Sequence, residues 1–386
     1  MNKHPSWWTR QGVLWGLLLL TACQPASNSA DAPPTDTPPP AVVEERLVLR
    51  NVTLENSSDE GEAIWKINAQ EAIYTQDQKN AQLKDITGNF FQDGEVIIQM
   101  SAEAGEIRLE EDGEKIFLRG KIVATDPRNG LIMRAKELDW FPQEDRLFVR
   151  EELTGSHPEL EMSGREGVYF SREQRIEVTG EVIATGTNNP FQLRTEQVKW
   201  DIEKQLLTSE TPLEVDRYDE SKKNVTDRVV AERGKFDLKQ QLVTLEQNIE
   251  LNSVDPPVQI ASNSAVWNLI LRTVLSDQPL RLIHHAEQVT VTANQGFVNL
   301  EENYSRLEGG VRARSEKQKS DLFADRVRWD VVTQEVQGQG NVTYKQEADP
   351  PLHLTGSSAL GKLNEQNVVI NSDRSSRVVT TIIPPN

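Results

Sequence analysis

The sequence predicts an all-β protein, an elongated antiparallel repeat array in which a meander of strands folds lengthwise into two facing sheets. Three observations carry that reading. One short pattern recurs ten times at a mean spacing of about 32 residues, a period typical of repeat architectures. Apolar residues within each unit alternate with polar ones, as the two-residue period of a strand requires. No window shows a helical period, and clusters of turn-forming residues separate the runs.

The pattern reads apolar, any, small, two any, small or apolar, any, aromatic. Its first copies are Ile67-Asn-Ala-Gln-Glu-Ala-Ile-Tyr74, Met100-Ser-Ala-Glu-Ala-Gly-Glu-Ile107, Met133-Arg-Ala-Lys-Glu-Leu-Asp-Trp140 and Met162-Ser-Gly-Arg-Glu-Gly-Val-Tyr169. Further copies run Leu193 to Trp200, Val229 to Phe236, Ile260 to Trp267, Val291 to Val298, Leu322 to Trp329 and, degenerate, Leu354 to Gly361. The last slot of the first nine copies holds Tyr74, Ile107, Trp140, Tyr169, Trp200, Phe236, Trp267, Val298 and Trp329, and seven of these are aromatic. They form a candidate row that either lines a lipid groove or fills the core. For any single member core filling is the commoner fate, because buried aromatics usually pack.

Inside each copy the first apolar and the small residue share a face, as do the last two marked positions, but a step of three separates the pairs. A strand that breaks alternation in this way bends, and so can pass from one sheet into another. Ala69, Ala102, Ala135 and Gly164 suit such a corner. A second apolar run follows in each unit, as in Ile116-Phe-Leu-Arg-Gly-Lys-Ile-Val123 and Ile176-Glu-Val-Thr-Gly-Glu-Val-Ile183, again with a central irregularity that is often Gly. Between the runs stand turn-formers such as Asp126-Pro127-Arg128-Asn129-Gly130 and Asp255-Pro256-Pro257. Two legs for each of ten repeats give a rod on the order of 95 Å long, with an open strand edge at either end.

The N-terminus carries a different message. Lys3 and Arg10 flank the apolar stretch Gly12 to Ala22, too short to cross a bilayer as a helix and consistent with a signal peptide over 1–22. Leu20-Thr21-Ala22-Cys23 has the form of a bacterial lipobox, which makes Cys23 the lipidation site. One acyl chain would hold weakly and two or three firmly. Cys23 is the only cysteine, so no disulfide is expected. Residues 23–43, rich in Pro, Ala, Ser and Thr, read as an extended tether, and the folded domain is expected over 44–383.

Composition excludes some partners. With 60 acidic residues against 42 basic ones and a net charge of −18, the chain lacks the clustered cations that nucleic acid needs. Anionic membrane surfaces are disfavoured for the same reason.

Ala72-Ile73-Tyr74 followed by Ile86-Thr87-Gly88-Asn89, repeated in kind along the mature chain behind a lipobox, resembles the OstA-like family of lipopolysaccharide transport proteins, and most of all its LptC branch. The resemblance implies a twisted β-jelly roll whose interior groove shelters the acyl chains of lipopolysaccharide. It implies a place in the periplasm beside an inner-membrane ABC transporter, with Cys23 anchored in the inner membrane, and an OstA-like bridge protein joined through edge strands. It implies no cofactor and no enzymatic activity.

Other signals are weaker. Gly356-Ser-Ser-Ala-Leu-Gly-Lys362 superficially matches a phosphate-binding loop, but Leu363 stands where a magnesium-holding hydroxyl is needed and no helix is expected. His284 and His285 should point to opposite faces of a strand, so a shared metal is not expected. Glu110-Glu111 and Glu151-Glu152 read as solvated acids near turns rather than a catalytic pair. The competing functional reading is a lipoprotein scaffold with a closed, dry core that assembles through its strand edges. A polysaccharide-acting β-helix enzyme ranks last, because hairpin turn signals argue against parallel coils.

Overall fold

The computed structural model describes residues 46–382 apart from 112, 188–189, 364–366 and 373–378, so the expected signal peptide, Cys23 and the tether lie outside the described residues. The described chain is a succession of antiparallel strands. They are β1 Val48–Ser57, β2 Ala63–Tyr74, β3 Asn80–Gln92, β4 Glu95–Glu110, β5 Gly113–Asp126, β6 Leu131–Phe141, β7 Arg146–Ser156, β8 Leu160–Phe170 and β9 Arg175–Gly186. Next come β10 Phe191–Asp201, β11 Leu206–Ser209, β12 Leu213–Tyr218, β13 Val225–Ala231, β14 Arg233–Asp237, β15 Leu242–Ser253, β16 Val258–Asn268, β17 Thr273–Ser276 and β18 Leu280–His284. The series closes with β19 Val289–Ala293, β20 Gln295–Asn299, β21 Tyr304–Ser315, β22 Ser320–Asp330, β23 Glu335–Gln346, β24 Leu352–Lys362, β25 Asn367–Asn371 and β26 Val379–Ile382. No described helix is long and apolar enough to cross a membrane.

All 26 strands join one sheet in which each leg pairs with the legs before and after it. Five pairs of short strands each make one leg: β10, for example, pairs with both β11 and β12. The chain therefore runs through twenty-one legs, against the twenty expected. The extra leg at the front is β1, which precedes the first copy of the repeat.

The all-β jelly roll is thus as expected, with one refinement: the two facing sheets are halves of a single sheet that bends along its length. The buried positions in β6, Leu131, Met133 and Ala135, then Leu138 and Trp140, reproduce the step of three. In the neighbouring β5 the buried residues Leu118 and Ile122 are four apart. Arg119 pairs with Glu137 and Ile122 with Ala135, so β5 holds one residue more at the corner, a bulge that recurs along the array. The sharp backbone turn belongs to this second run, where Gly120 and Lys121 both have positive φ. The same paired turn occurs at Glu151 and Glu152, Gly180 and Glu181, Gln247 and Asn248, and Gly340 and Asn341. The small residue of the first run has a separate reason to be small: a Cβ on Gly164 would fall 2.4 Å from Val178 Cγ1.

Each bent leg has one half in a first layer, ending at hairpins such as 127–130, and the other in a second layer, ending at turns such as 171–174. The second-layer turns are stitched into a ladder. Ile202 N donates to Gln174 O at 3.1 Å, Leu269 N to Gln241 O at 3.1 Å, Leu300 N to Arg272 O at 2.9 Å and Val331 N to Asn303 O at 2.8 Å. One apolar core runs between the layers from Trp65 to Ala359. Since burial of apolar surface is the main stabilising term, and no disulfide is expected to help, this continuous seam of packing is what holds the rod together.

Candidate functional site: an aromatic row under a clasped seam

The row expected from the repeat lies on the inner side of the second layer, one or two residues before each turn except at Ile107, after which β4 runs three more residues. Trp140, Tyr169, Trp200, Phe236, Trp267, Val298 and Trp329 are all buried, Ile107 is 8% exposed, and Tyr74 is half-buried against the core. The pattern brings these residues into line, but they do not stack on one another. Five of the seven aromatic rings instead meet a first-layer residue some 40 to 50 positions earlier. Phe90 lies flat on Trp140 with centroids 3.7 Å apart. Phe191 meets Phe236 at 4.3 Å, His157 meets Trp200 at 5.1 Å and His284 meets Trp329 at 5.7 Å. The Tyr169 hydroxyl donates to Asp126 Oδ2 at 2.5 Å.

Beyond the row, at the margin where hairpins of the first layer face turns of the second, polar side chains clasp the seam shut. Near the front, Asn56 Nδ2 and Trp65 Nε1 both donate to Glu114 Oε2, at 2.6 and 2.7 Å. Gln92 Nε2 reaches Asp145 Oδ1 at 3.3 Å. Asp126, fully buried, is held by Arg128, whose Nη2 also donates to Ser171 O at 2.8 Å, while Asn129 Nδ2 donates to Gln174 Oε1 at 3.0 Å. Burial, and then the adjacent Asp126, keep the Tyr169 phenol protonated far above its ordinary range. Further along, buried Asp227 accepts from Arg272 Nη2 at 3.1 Å, and Arg272 also donates to Asp255 O at 2.6 Å. Arg217 Nε donates to Leu269 O at 2.9 Å beside them. The clasp nearest the C-terminus is Gln334 Nε2 to Glu287 Oε1 at 3.1 Å, with Lys317 Nζ on the other carboxylate oxygen at 3.0 Å. The Lys317 hydrogen bond holds the Glu287 carboxyl below its usual range.

Past that clasp the layers part. Val291, Leu322, Trp329, Val336, Tyr344 and Val368 line a small apolar cleft with room for water-sized molecules over ≈ 60 Å³. The cleft continues the core rather than interrupting it, and its wall is mainly apolar, with Ser315, Gln318, Ser320 and Lys362 also on it, a lining that suits a hydrocarbon chain. Two strand edges are also open: β1 pairs only with β2, and β25 and β26 only with β24 among the described residues.

Of the remaining sequence features, the two histidines are split by the end of β18, with His285 in the turn that follows. His284 is buried and His285 exposed, Gly356 to Lys362 lies within β24, and Glu151 and Glu152 sit exposed at a corner. Sequence reasoning missed the clasps. The signal was an offset of about 45 residues between a first-layer hairpin and the second-layer turn it meets, one and a half repeats rather than one.

Residues 16–165 match the family described as "LptC: Lipopolysaccharide-assembly, LptC-related". The match begins inside the expected signal peptide and ends within β8, whereas the repeat continues in the same register through β24. Among solved structures, the chain is similar to LptH of Pseudomonas aeruginosa, described as the LptA homologous periplasmic component of the lipopolysaccharide transport device. The two are 13% identical, the similarity covers 41% of this chain and 95% of that one, and the TM-score is 0.20. No curated protein matches the chain.

Proposed function

We propose, from the match of residues 16–165 to the LptC-related family, that the chain is a non-enzymatic, lipid-anchored component of lipopolysaccharide export. In this reading Cys23 holds it to the inner membrane on the periplasmic side. The two layers shelter acyl chains, and the strand edges link the inner-membrane ABC transporter to an OstA-like bridge protein. The observation that carries the proposal is the unbroken apolar interior from Trp65 to Ala359, ending in an open apolar cleft at Tyr344 and Val368. Fatty acyl chains need a water-poor slot with no charge on its wall, and movement along it needs many similar weak contacts in place of one deep pocket.

The alternative is a scaffold whose interior never opens. The close stacking of Phe90 on Trp140 and the clasp of Arg128 on Ser171 favour it along the front part of the rod. Photoreactive residues at Trp200 and Trp267 separate the two readings. Transport predicts glycolipid adducts in cells at both positions, and normal expression without any adduct would leave the scaffold.

A further inference from the structure

Five tryptophans lie among the described residues. Trp65, which is not in the row, donates its indole N–H to Glu114. Trp140, Trp200, Trp267 and Trp329, the four in the row, are at most 2% exposed, and none of their Nε1 atoms has a hydrogen-bond partner. A buried donor without an acceptor is costly, and native interiors rarely keep one, let alone four in equivalent positions.

The neighbouring strands offer no acceptor to three of the four. The cross-strand neighbours are Ile116 and Leu147 for Trp140, Ile176 and Leu207 for Trp200, and Val243 and Val274 for Trp267. None of these can accept a hydrogen bond. At Trp329 one neighbour is Ser305, whose buried hydroxyl is likewise without a partner. The same slot is filled at Phe236 by a ring of comparable shape and no stranded donor. The donors also recur at a fixed interval, in the third, fifth, seventh and ninth copies of the repeat. With two legs per repeat and about 4.8 Å per leg, they stand roughly 19 Å apart along the rod.

We infer that these four indole N–H groups are cargo contacts, donating to the ester or amide carbonyls, or the chain hydroxyls, at the linkage end of acyl chains drawn between the layers. The inference rests on the transport reading above and deepens it. Aliphatic walls hold the hydrocarbon without regard to position, while a donor at every second repeat gives the polar linkage a place to rest. A lipid moving along the rod exchanges one such donor for the next.

The test uses the full-length protein in detergent with ¹⁵N-labelled indoles, and two probes: hexa-acylated lipid A, and a glycolipid with chains of equal length joined by ethers and carrying no carbonyl or chain hydroxyl. Lipid A should move the indole N–H resonances of the row downfield and leave that of Trp65 unmoved, and the ether lipid should not move them. Trp200→Phe and Trp267→Phe should each weaken lipid A binding roughly fivefold, the loss of one hydrogen bond, with ether-lipid affinity unchanged. If both probes bind and no row indole shifts, or the variants bind lipid A as the parent does, the inference is wrong and the transport reading stands. Indole hydrogens already bonded to interior water, with no change on adding lipid A, would overturn it equally. Failure of both lipids to bind would remove the transport reading and the inference with it.

Discussion

The His157 imidazole meets the Trp200 indole edge-on, with ring centroids 5.1 Å apart and planes at 89°, across the gap between the two layers. His284 meets Trp329 further along, at 5.7 Å and tilted by 57°. Both imidazoles have their pKa lowered from the ordinary value of 6.5, chiefly by burial, with Glu159 and Glu287 respectively working against it.

A depressed histidine pKa destabilises the fold in acid, because the unfolded chain then binds more protons. Stability should be level above about pH 7 and fall as the pH drops through 6.5, before carboxylates begin to titrate. Urea midpoints at pH 7.5 and 5.5 measure the drop, and the double variant His157→Phe with His284→Phe should flatten it.

Arg272 is the centre of the most buried clasp, bonded to Asp227 and to the Asp255 carbonyl. Replacing it strands a fully buried carboxylate with only Arg217, 3.5 Å away, as a cationic neighbour. Arg272→Met should therefore cost about 3 kcal/mol. Adding Asp227→Asn should restore a large part of that loss, and a double-mutant cycle by urea denaturation measures how much.

At the corners the left-handed pairs set a different constraint. Gly180 has φ +82°, and a Cβ there would sit 2.6 Å from Arg165 Cβ. Gly180→Ala should lose about 1–2 kcal/mol by strain and crowding together. Glu181, at φ 51°, should accept Asn without loss, since Asn tolerates that region. Thermal melts of the two variants give the comparison.

The anchor is open to a direct test. Cys23→Ser should abolish labelling of the protein by radioactive palmitate and release it from membranes in fractionation, since the tether that follows has almost nothing apolar to hold it. A chain still bound to membranes after that change would owe its attachment to another element.

How much of this was legible in the sequence depends on which interactions are local. Trp140, Trp200, Trp267 and Trp329 announced themselves because a slot within a repeat is a local property, set by strand alternation and one corner. The corner's own chemistry was half legible: Gly120 and Gly180 mark the left-handed turn, but Glu151 and Gln247 occupy the same conformation without any sign of it in their residue type. Asp126 and Tyr169, or Asp227 and Arg272, pair across layers, at a stagger fixed by how the whole sheet twists. No single repeat contains that information.

The clasps lead to the last expectation. If acyl chains enter sideways, the seam must open where Asn129 meets Gln174 and Glu287 meets Gln334. If they enter only through the apolar cleft, it need not. Asn129→Cys with Gln174→Cys, joined by a short bismaleimide, fixes the first of these shut, and Cys23 does not compete once acylated. Sideways entry predicts that the crosslinked protein loses lipid adducts at Trp200 by tenfold or more, with the uncrosslinked double variant unaffected. Adducts that persist at full yield would assign entry to the end of the rod, where Tyr344 and Val368 line the apolar cleft.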